Sequence, residues 1–180
     1  MSRRRPPATL ADTAAAIACR AGLVATVVVG TALLRDSTRA GRLDTAGVWD
    51  ERSARSLFDA LGDAGRAAYV RFYERPLGDM LFPACYAAWL GGALWRACPP
   101  NRRLLAATPL VAAACDFVEN VSVLALLGAY PAWDGSRARL ALRFGPLASA
   151  GKWMCLAATA MLLLWLGARM HAKQKMGKQD

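Results

Sequence analysis

The sequence predicts an all-α fold, an integral membrane antiparallel four-helix bundle with an amphipathic surface helix in its first loop. Three observations carry this prediction. Apolar residues make up 56% of the 180 positions, which exceeds the roughly half expected of a soluble domain. They are concentrated in stretches long enough to cross a bilayer, and Arg-rich connectors separate these stretches. The whole chain, residues 1–180, is therefore predicted to form a single transmembrane domain.

The first span is predicted at about residues 13–34, directly after an Arg-rich start. This stretch is longer than the hydrophobic region of a typical signal peptide, and no small-residue cleavage site follows Leu34. We therefore expect it to form the first helix of the bundle.

A surface helix is predicted at about residues 51–74, where small and apolar residues recur at three- and four-residue spacing. These residues are Ser56, Leu57, Leu61, Ala64, Ala68 and Phe72. The polar face is nearly balanced in charge and lacks the strongly basic character of a lipid-binding helix. The helix is therefore expected either to lie along the membrane surface or to pack over the mouth of the bundle.

Three further spans are predicted at about residues 77–98, 104–130 and 146–169. The connector at residues 99–103 is so short that the second and third spans must form an antiparallel hairpin. Pro146 suits the first turn of the fourth helix.

Four spans place both termini on one side of the membrane, together with the Arg102/Arg103 turn. Lys and Arg close to helix ends favour the cytoplasmic side, or the matrix or stromal side of an organelle. The sequence leaves the identity of the membrane open.

Composition and charge exclude several functional classes. The net charge of +10 resides in chain ends and connectors, which favours contacts with membrane lipid headgroups over a nucleic-acid interface. The five cysteines form no CxxC pair and the only histidine is His171, near the end of the chain. No metal site and no cofactor are therefore predicted.

Five ionisable residues lie inside predicted spans, where an unpaired charge facing lipid costs several kcal/mol. At about 1.5 Å per residue, Arg20 and Asp116 both lie roughly 21 Å below the side of the long loop, which permits an ion pair between them. Glu119 and Lys152 lie roughly 16 Å and 9 Å below that side, a difference that a lysine side chain can bridge. Asp79 lies nearer the loop. We expect these groups to face the bundle interior.

Polar residues also share helix faces. Asp116, Glu119 and Asn120 occupy positions i, i+3 and i+4 of the third span, while Asp79 and Tyr86 form a second stripe that two surface-helix residues are expected to cap. A polar chamber open toward the long loop is therefore predicted. The predicted ligand-binding residues are Asp116, Glu119, Asn120, Asp79, Tyr86, Arg66, Tyr69, Lys152 and Arg20.

Three short patterns occur together: GRxxY from Gly65, DxxFPxxY from Asp79 and DxxEN from Asp116. In combination they resemble an uncharacterised family of small four-span membrane proteins. The resemblance covers the surface helix through the third span, about half of the chain. It implies the fold and carries no activity.

Three functional hypotheses follow. In the leading one, the polar cluster of a small multi-pass membrane protein binds a lipid-like or other small molecule. In the second, the chain is an accessory subunit of a larger membrane complex and has a membrane-protein partner. In the third, it is a membrane-embedded enzyme that uses Asp116 or Glu119 as an acid or base. A purely structural ionic network is the alternative to all three.

Overall fold

The computed structural model describes residues 9–35, 43, 47–75 and 78–176. Within this part of the chain the regular structure is entirely helical, as predicted. A 3₁₀ helix at Pro100–Ala107 leads directly into α4. The α-helices are α1 (Leu10–Arg35), α2 (Glu51–Glu74), α3 (Phe82–Ala97), α4 (Thr108–Ala129) and α5 (Ser136–Met176).

Three helical stretches of the described chain are long and apolar enough to cross a membrane, namely Leu10–Leu33, Pro100–Ala129 and Ser136–Ala172. They correspond to the first, third and fourth predicted spans. The helix at the second predicted position, α3, has 16 residues and a length of about 24 Å. It is therefore shorter than the hydrocarbon core of about 30 Å.

The predicted bounds of the second span, residues 77–98, need correction at the start of the helix. Residue 77 lies outside the described residues, and Gly78–Leu81 form a turn before α3 begins at Phe82. Pro83 lies in the first turn of α3, where its missing N–H leaves no helical hydrogen bond unmade.

The fourth predicted span also begins earlier than expected. Its helix, α5, starts at Ser136 and runs for 41 residues, so Pro146 lies inside it and not in its first turn. A proline inside a helix removes one backbone donor, and here the helix continues on both sides of it. At about 60 Å, α5 is twice as long as the hydrocarbon core is thick, so it extends beyond any membrane that it crosses.

Helices that pack against each other run antiparallel. A Cβ atom placed on Gly22 of α1 would lie 2.4 Å from the backbone N of Trp89, and one placed on Gly92 of α3 would lie 2.6 Å from the Ala15 carbonyl oxygen. Residue numbers thus rise along α1 while those of the facing residues on α3 fall. The other pairs show the same inverse order: Asp79 with Asn120, Tyr86 with Asp116, Ser122 with Gly145 and Cys115 with Gly151.

Helix α2 occupies the predicted range, because its first turn carries a strong start signal. The Asp50 side chain accepts a hydrogen bond from the Ser53 backbone N–H, and the Ser53 hydroxyl oxygen accepts one from the Asp50 backbone N–H. This reciprocal pair satisfies two otherwise unpaired donors. The bond from the Ser53 N–H also holds the pKa of Asp50 below its usual value.

The predicted apolar stripe of α2 is wrong in part. Ser56 and Ala64 are exposed, and the helix kinks between them at Gly62, whose φ of 61° is open to glycine at little steric cost. At 3.6 residues per turn the residues that α2 buries share one face, and Ser56 and Ala64 lie outside it. The residues that α2 buries are Ala54, Phe58, Tyr69, Phe72 and Tyr73.

An aromatic layer joins α2 to the ends of the bundle helices. The ring of Phe58 lies edge-on to Tyr69, Tyr130 and Trp133, with centroids 6.5, 5.9 and 5.7 Å away. The Trp133 indole N–H also donates to the Leu126 carbonyl of α4 at 2.9 Å. Helix α2 therefore packs against the turn that follows α4.

Candidate functional site

A buried ion-pair triad connects α4 and α5. The Lys152 ammonium lies 3.2 Å from Asp116 Oδ1 and 2.5 Å from Glu119 Oε2. The exposed fractions of the side chains are 6%, 8% and 0%. Asp116 and Glu119 share a face because they lie one helical turn apart, so one lysine reaches both. The sequence predicted that Lys152 reaches Glu119, whereas it paired Asp116 with Arg20.

Helix α3 and the turn before it add two contacts around the triad. The Tyr86 hydroxyl donates to Asp116 Oδ2 at 3.0 Å, and the Asn120 side-chain amide donates to the Asp79 backbone carbonyl at 3.2 Å. Asn120 is fully buried, and its Oδ1 has no hydrogen-bond partner within the described residues. We name Asp79, Tyr86, Asp116, Glu119, Asn120 and Lys152 the polar cluster.

A tryptophan from the loop before α2 closes the cluster at one end. The Trp49 indole N–H donates to Glu119 Oε1 at 2.9 Å, and Trp49 is 2% exposed. Its ring packs against Gly145 of α5, where an added Cβ would lie 2.6 Å from it. The Ser149 hydroxyl donates to the Gly47 carbonyl at 2.7 Å and fixes the same loop on α5.

The sequence did not predict this role of Trp49. Tryptophan near a predicted helix end is typical of the membrane interface, and that pattern does not predict a buried contact with Glu119. Its burial depends on the path of the loop, which no periodic pattern encodes. The one available signal was Gly145, since a glycine in a helix often marks a close approach by another group.

Two residues of the predicted set lie in the aromatic layer and not in the polar cluster. Arg66 donates to the Phe58 carbonyl at 2.6 Å, pairs with Asp63, and makes no hydrogen bond or ion pair with the cluster. The Tyr69 hydroxyl accepts a hydrogen bond from the Leu43 N–H at 3.0 Å. Arg66 therefore fixes the kinked α2 and does not cap the stripe on α3.

Arg20, the last residue of the predicted set, lies apart from the polar cluster. It is exposed and shares the outward face of α1 with Ile17 and Val24, which are 64% and 63% exposed. The predicted ion pair between Arg20 and Asp116 is not formed, because the Asp116 carboxylate is bound by Lys152 and Tyr86. Equal depth along two helices does not mean that the two side chains face each other.

In the polar cluster, charged and neutral hydrogen-bond acceptors surround one ammonium group. Within the described ranges, no group of three or more His, Cys, Asp or Glu side chains is arranged to hold a metal ion. Comparison of the chain with protein-family models, curated proteins and solved structures found no match. The resemblance drawn from the three short patterns therefore stays a prediction.

Replacing Trp49 by phenylalanine is expected to lower the free energy of unfolding by about 1–3 kcal/mol. The substitution keeps an aromatic ring but leaves Glu119 Oε1 without its indole donor, and an unpaired buried acceptor is destabilising by that amount. Chemical unfolding in mild detergent would measure the effect. Trp165→Phe, at a 42% exposed position, is the matched control, and an equal loss in both variants would contradict the role of the indole N–H.

Proposed function

We propose that the protein is a four-span membrane protein whose polar cluster binds a small lipid-like molecule through hydrogen-bond donors carried by that molecule. Helices α1, α3, α4 and α5 are its spans, and α2 covers the side of the long loop. The termini are on the cytoplasmic side, or the matrix or stromal side of an organelle.

The packing and composition of α3 support its role as a span. Its only charged residue is Arg96, in its last turn, and it packs between α1 and α4. A deficit of a few ångströms against the bilayer is tolerated by local thinning at modest cost. Arg96 and the Arg102/Arg103 turn share one end of the bundle with the start of α1, which supports the proposed orientation.

The observation that carries the binding proposal is an excess of acceptors in the polar cluster. Asp116 and Glu119 share a single ammonium group, and the fully buried Asn120 Oδ1 has no donor within the described residues. A buried acceptor without a donor is destabilising by about 1–3 kcal/mol. A ligand with hydroxyl or ammonium groups supplies the missing donors, and an apolar tail suits the surrounding spans.

The loop at residues 47–50 supports a route into the cluster. Trp49 is held there by one hydrogen bond to Glu119, and the backbone of Gly47 by one to Ser149. Movement of this loop uncovers Glu119 while the helices stay packed. A ligand donor then takes the position of the indole N–H.

We expect Glu119→Gln to lower binding while the fold persists. Glutamine keeps the size of the side chain and a carbonyl oxygen for the Trp49 indole N–H, and Lys152 keeps its pair with Asp116. The measurement is untargeted mass spectrometry of the small molecules that co-purify with the intact chain in mild detergent. Wild type should carry one species in a stoichiometric amount, and the variant should carry less than about a tenth of it, the loss expected for a charge-assisted hydrogen bond.

The control for this experiment is Asp134→Asn, because Asp134 is exposed in the turn before α5. It should retain the full amount of the bound species. Thermal melting of all three proteins separates binding from folding. Absence of any stoichiometric species from wild type contradicts the proposal, as does equal retention by Glu119→Gln.

A second candidate function, that of an accessory subunit, is favoured by Arg20. This residue is near the middle of a candidate span and exposed on its apolar outer face. An arginine facing hydrocarbon costs at least about 2.5 kcal/mol, and a carboxylate on a helix of a partner protein would remove that cost. A stoichiometric partner that wild type retains in mild detergent and Arg20→Met loses would support this function over the first.

A further inference from the structure

An open groove lies between α1, α3 and the start of α4, at the end of α3 that is farther from the long loop. Its volume is about 540 Å³, within the range of about 300–1,000 Å³ typical of small-molecule sites. Leu104 and Leu110 at its rim are 86% and 60% exposed. The walls are formed largely by alanine and glycine, among them Ala14, Ala18, Ala88, Gly91 and Ala107.

The mouth of the groove is polar and lies where α1 begins and α3 ends. Arg103, which lines the groove, forms an ion pair with Asp12 at 2.6 Å, and the Trp95 indole N–H donates to the same carboxylate at 3.3 Å. The Arg103 guanidinium also lies 4.7 Å from the centroid of the Trp95 ring. These contacts hold the guanidinium at the mouth in one orientation.

Arg103 has donor capacity that the protein does not use. A guanidinium carries five N–H donors, and Asp12 is bound by Nη2. The Arg103 Nε is buried and has no hydrogen-bond partner in the described part of the chain, so the 28% of the side chain that is exposed belongs to its other atoms. This exposed part is available to a second anionic group, and the exposed Arg102 and Arg96 add positive charge at the same end.

We propose that this groove binds an anionic phospholipid, with the headgroup phosphate against Arg103 and one acyl chain along the alanine and glycine walls. A guanidinium N–H that is not bound to Asp12 can donate to a phosphate oxygen, and the clustered arginines favour an anionic lipid over a zwitterionic one. From Trp95 to Ala88 the groove descends by about 10 Å. That depth accommodates the upper part of an acyl chain, and the open rim leaves the rest in the bilayer.

The charge and position of the mouth favour a lipid over a helix from another protein. Small residues along a groove also permit close helix packing, but a docked helix would continue past the mouth and cover the arginines. A phospholipid places its only phosphate at the depth of the helix ends, where Arg103 lies. A second copy of this chain and a partner helix are distinguishable outcomes of the test below.

The test is native mass spectrometry of the full chain, using nanodiscs that contain equal amounts of phosphatidylglycerol and phosphatidylcholine with identical acyl chains. Wild type should retain phosphatidylglycerol about tenfold over phosphatidylcholine, because both lipids carry the phosphate that Arg103 binds but the clustered arginines repel the choline ammonium. Arg103→Gln should lower the retention of phosphatidylglycerol and reduce this preference. Ala14→Leu, at an exposed position that lines the groove, should reduce retention of both lipids.

The matched control is Arg137→Gln, because Arg137 is an exposed residue at the start of α5, outside the groove. Its lipid preference should equal that of wild type. Equal retention of the two lipids by wild type would overturn the proposal, as would an unchanged preference in Arg103→Gln with an unchanged melting temperature. A dimer or a stoichiometric partner that only Ala14→Leu loses would assign the groove to a protein instead.

Discussion

Replacing Lys152 by methionine is expected to lower the free energy of unfolding by about 3–5 kcal/mol, because two buried carboxylates lose the ammonium group between them. Methionine has a similar length and fills the same space, so the loss reports charge and not volume. The pair distances of 3.2 and 2.5 Å and the near-complete burial of all three residues make screening by solvent small. Chemical unfolding in mild detergent measures the difference.

A combined variant identifies the cause of that loss. Lys152→Met with Asp116→Asn and Glu119→Gln removes all three charges, and its stability should return to within about 1–2 kcal/mol of wild type, since neutral replacements of a buried ionic group are often tolerated. Lys175→Met, at an exposed position of α5, controls for the loss of a positive charge. A Lys152→Met variant as stable as this control would rule out the triad as a stabilising element.

Local sequence rules predicted the parts of the fold and cluster that depend on one helix at a time. The bounds of α2 follow from the capping residues Asp50 and Ser53, which act within a single turn. The shared face of Asp116 and Glu119 follows from helical spacing alone. The estimated depth of Lys152 in the membrane placed it within reach of Glu119. It contacts both carboxylates because α4 and α5 are direct neighbours.

The remaining features depend on how helices are rotated about their axes and on the path of loops. The estimated depth in the membrane placed Arg20 level with Asp116. However, the side of α1 that carries Gly22 packs against α3, and Arg20 lies on the outward side. The burial of Trp49 was not predicted, because a loop residue has no period that encodes burial. On α2 the buried face carries the aromatic residues Phe58, Tyr69 and Tyr73, and the predicted stripe was rotated away from this face.

The tight contact between α1 and α3 leads us to expect opposite changes in the free energy of unfolding when two glycines are each replaced by alanine. Gly22→Ala is expected to lower the free energy of unfolding by about 1–3 kcal/mol, the usual effect of overpacking. The new Cβ would lie 2.4 Å from the backbone N of Trp89 and 3.0 Å from the Cys85 carbonyl oxygen, and backbone atoms cannot move aside as a flexible side chain can.

Gly167→Ala in α5 is the matched control, because nothing lies within 4 Å of the position that its Cβ would occupy. Alanine has a higher helix propensity than glycine by about 0.8–1.0 kcal/mol, so this variant should be as stable as wild type or more stable. Unfolding in mild detergent compares the two variants under the same conditions. If both substitutions stabilised the protein equally, α1 would not pack against α3 at Gly22, and the groove bounded by these helices would have to be reconsidered with it.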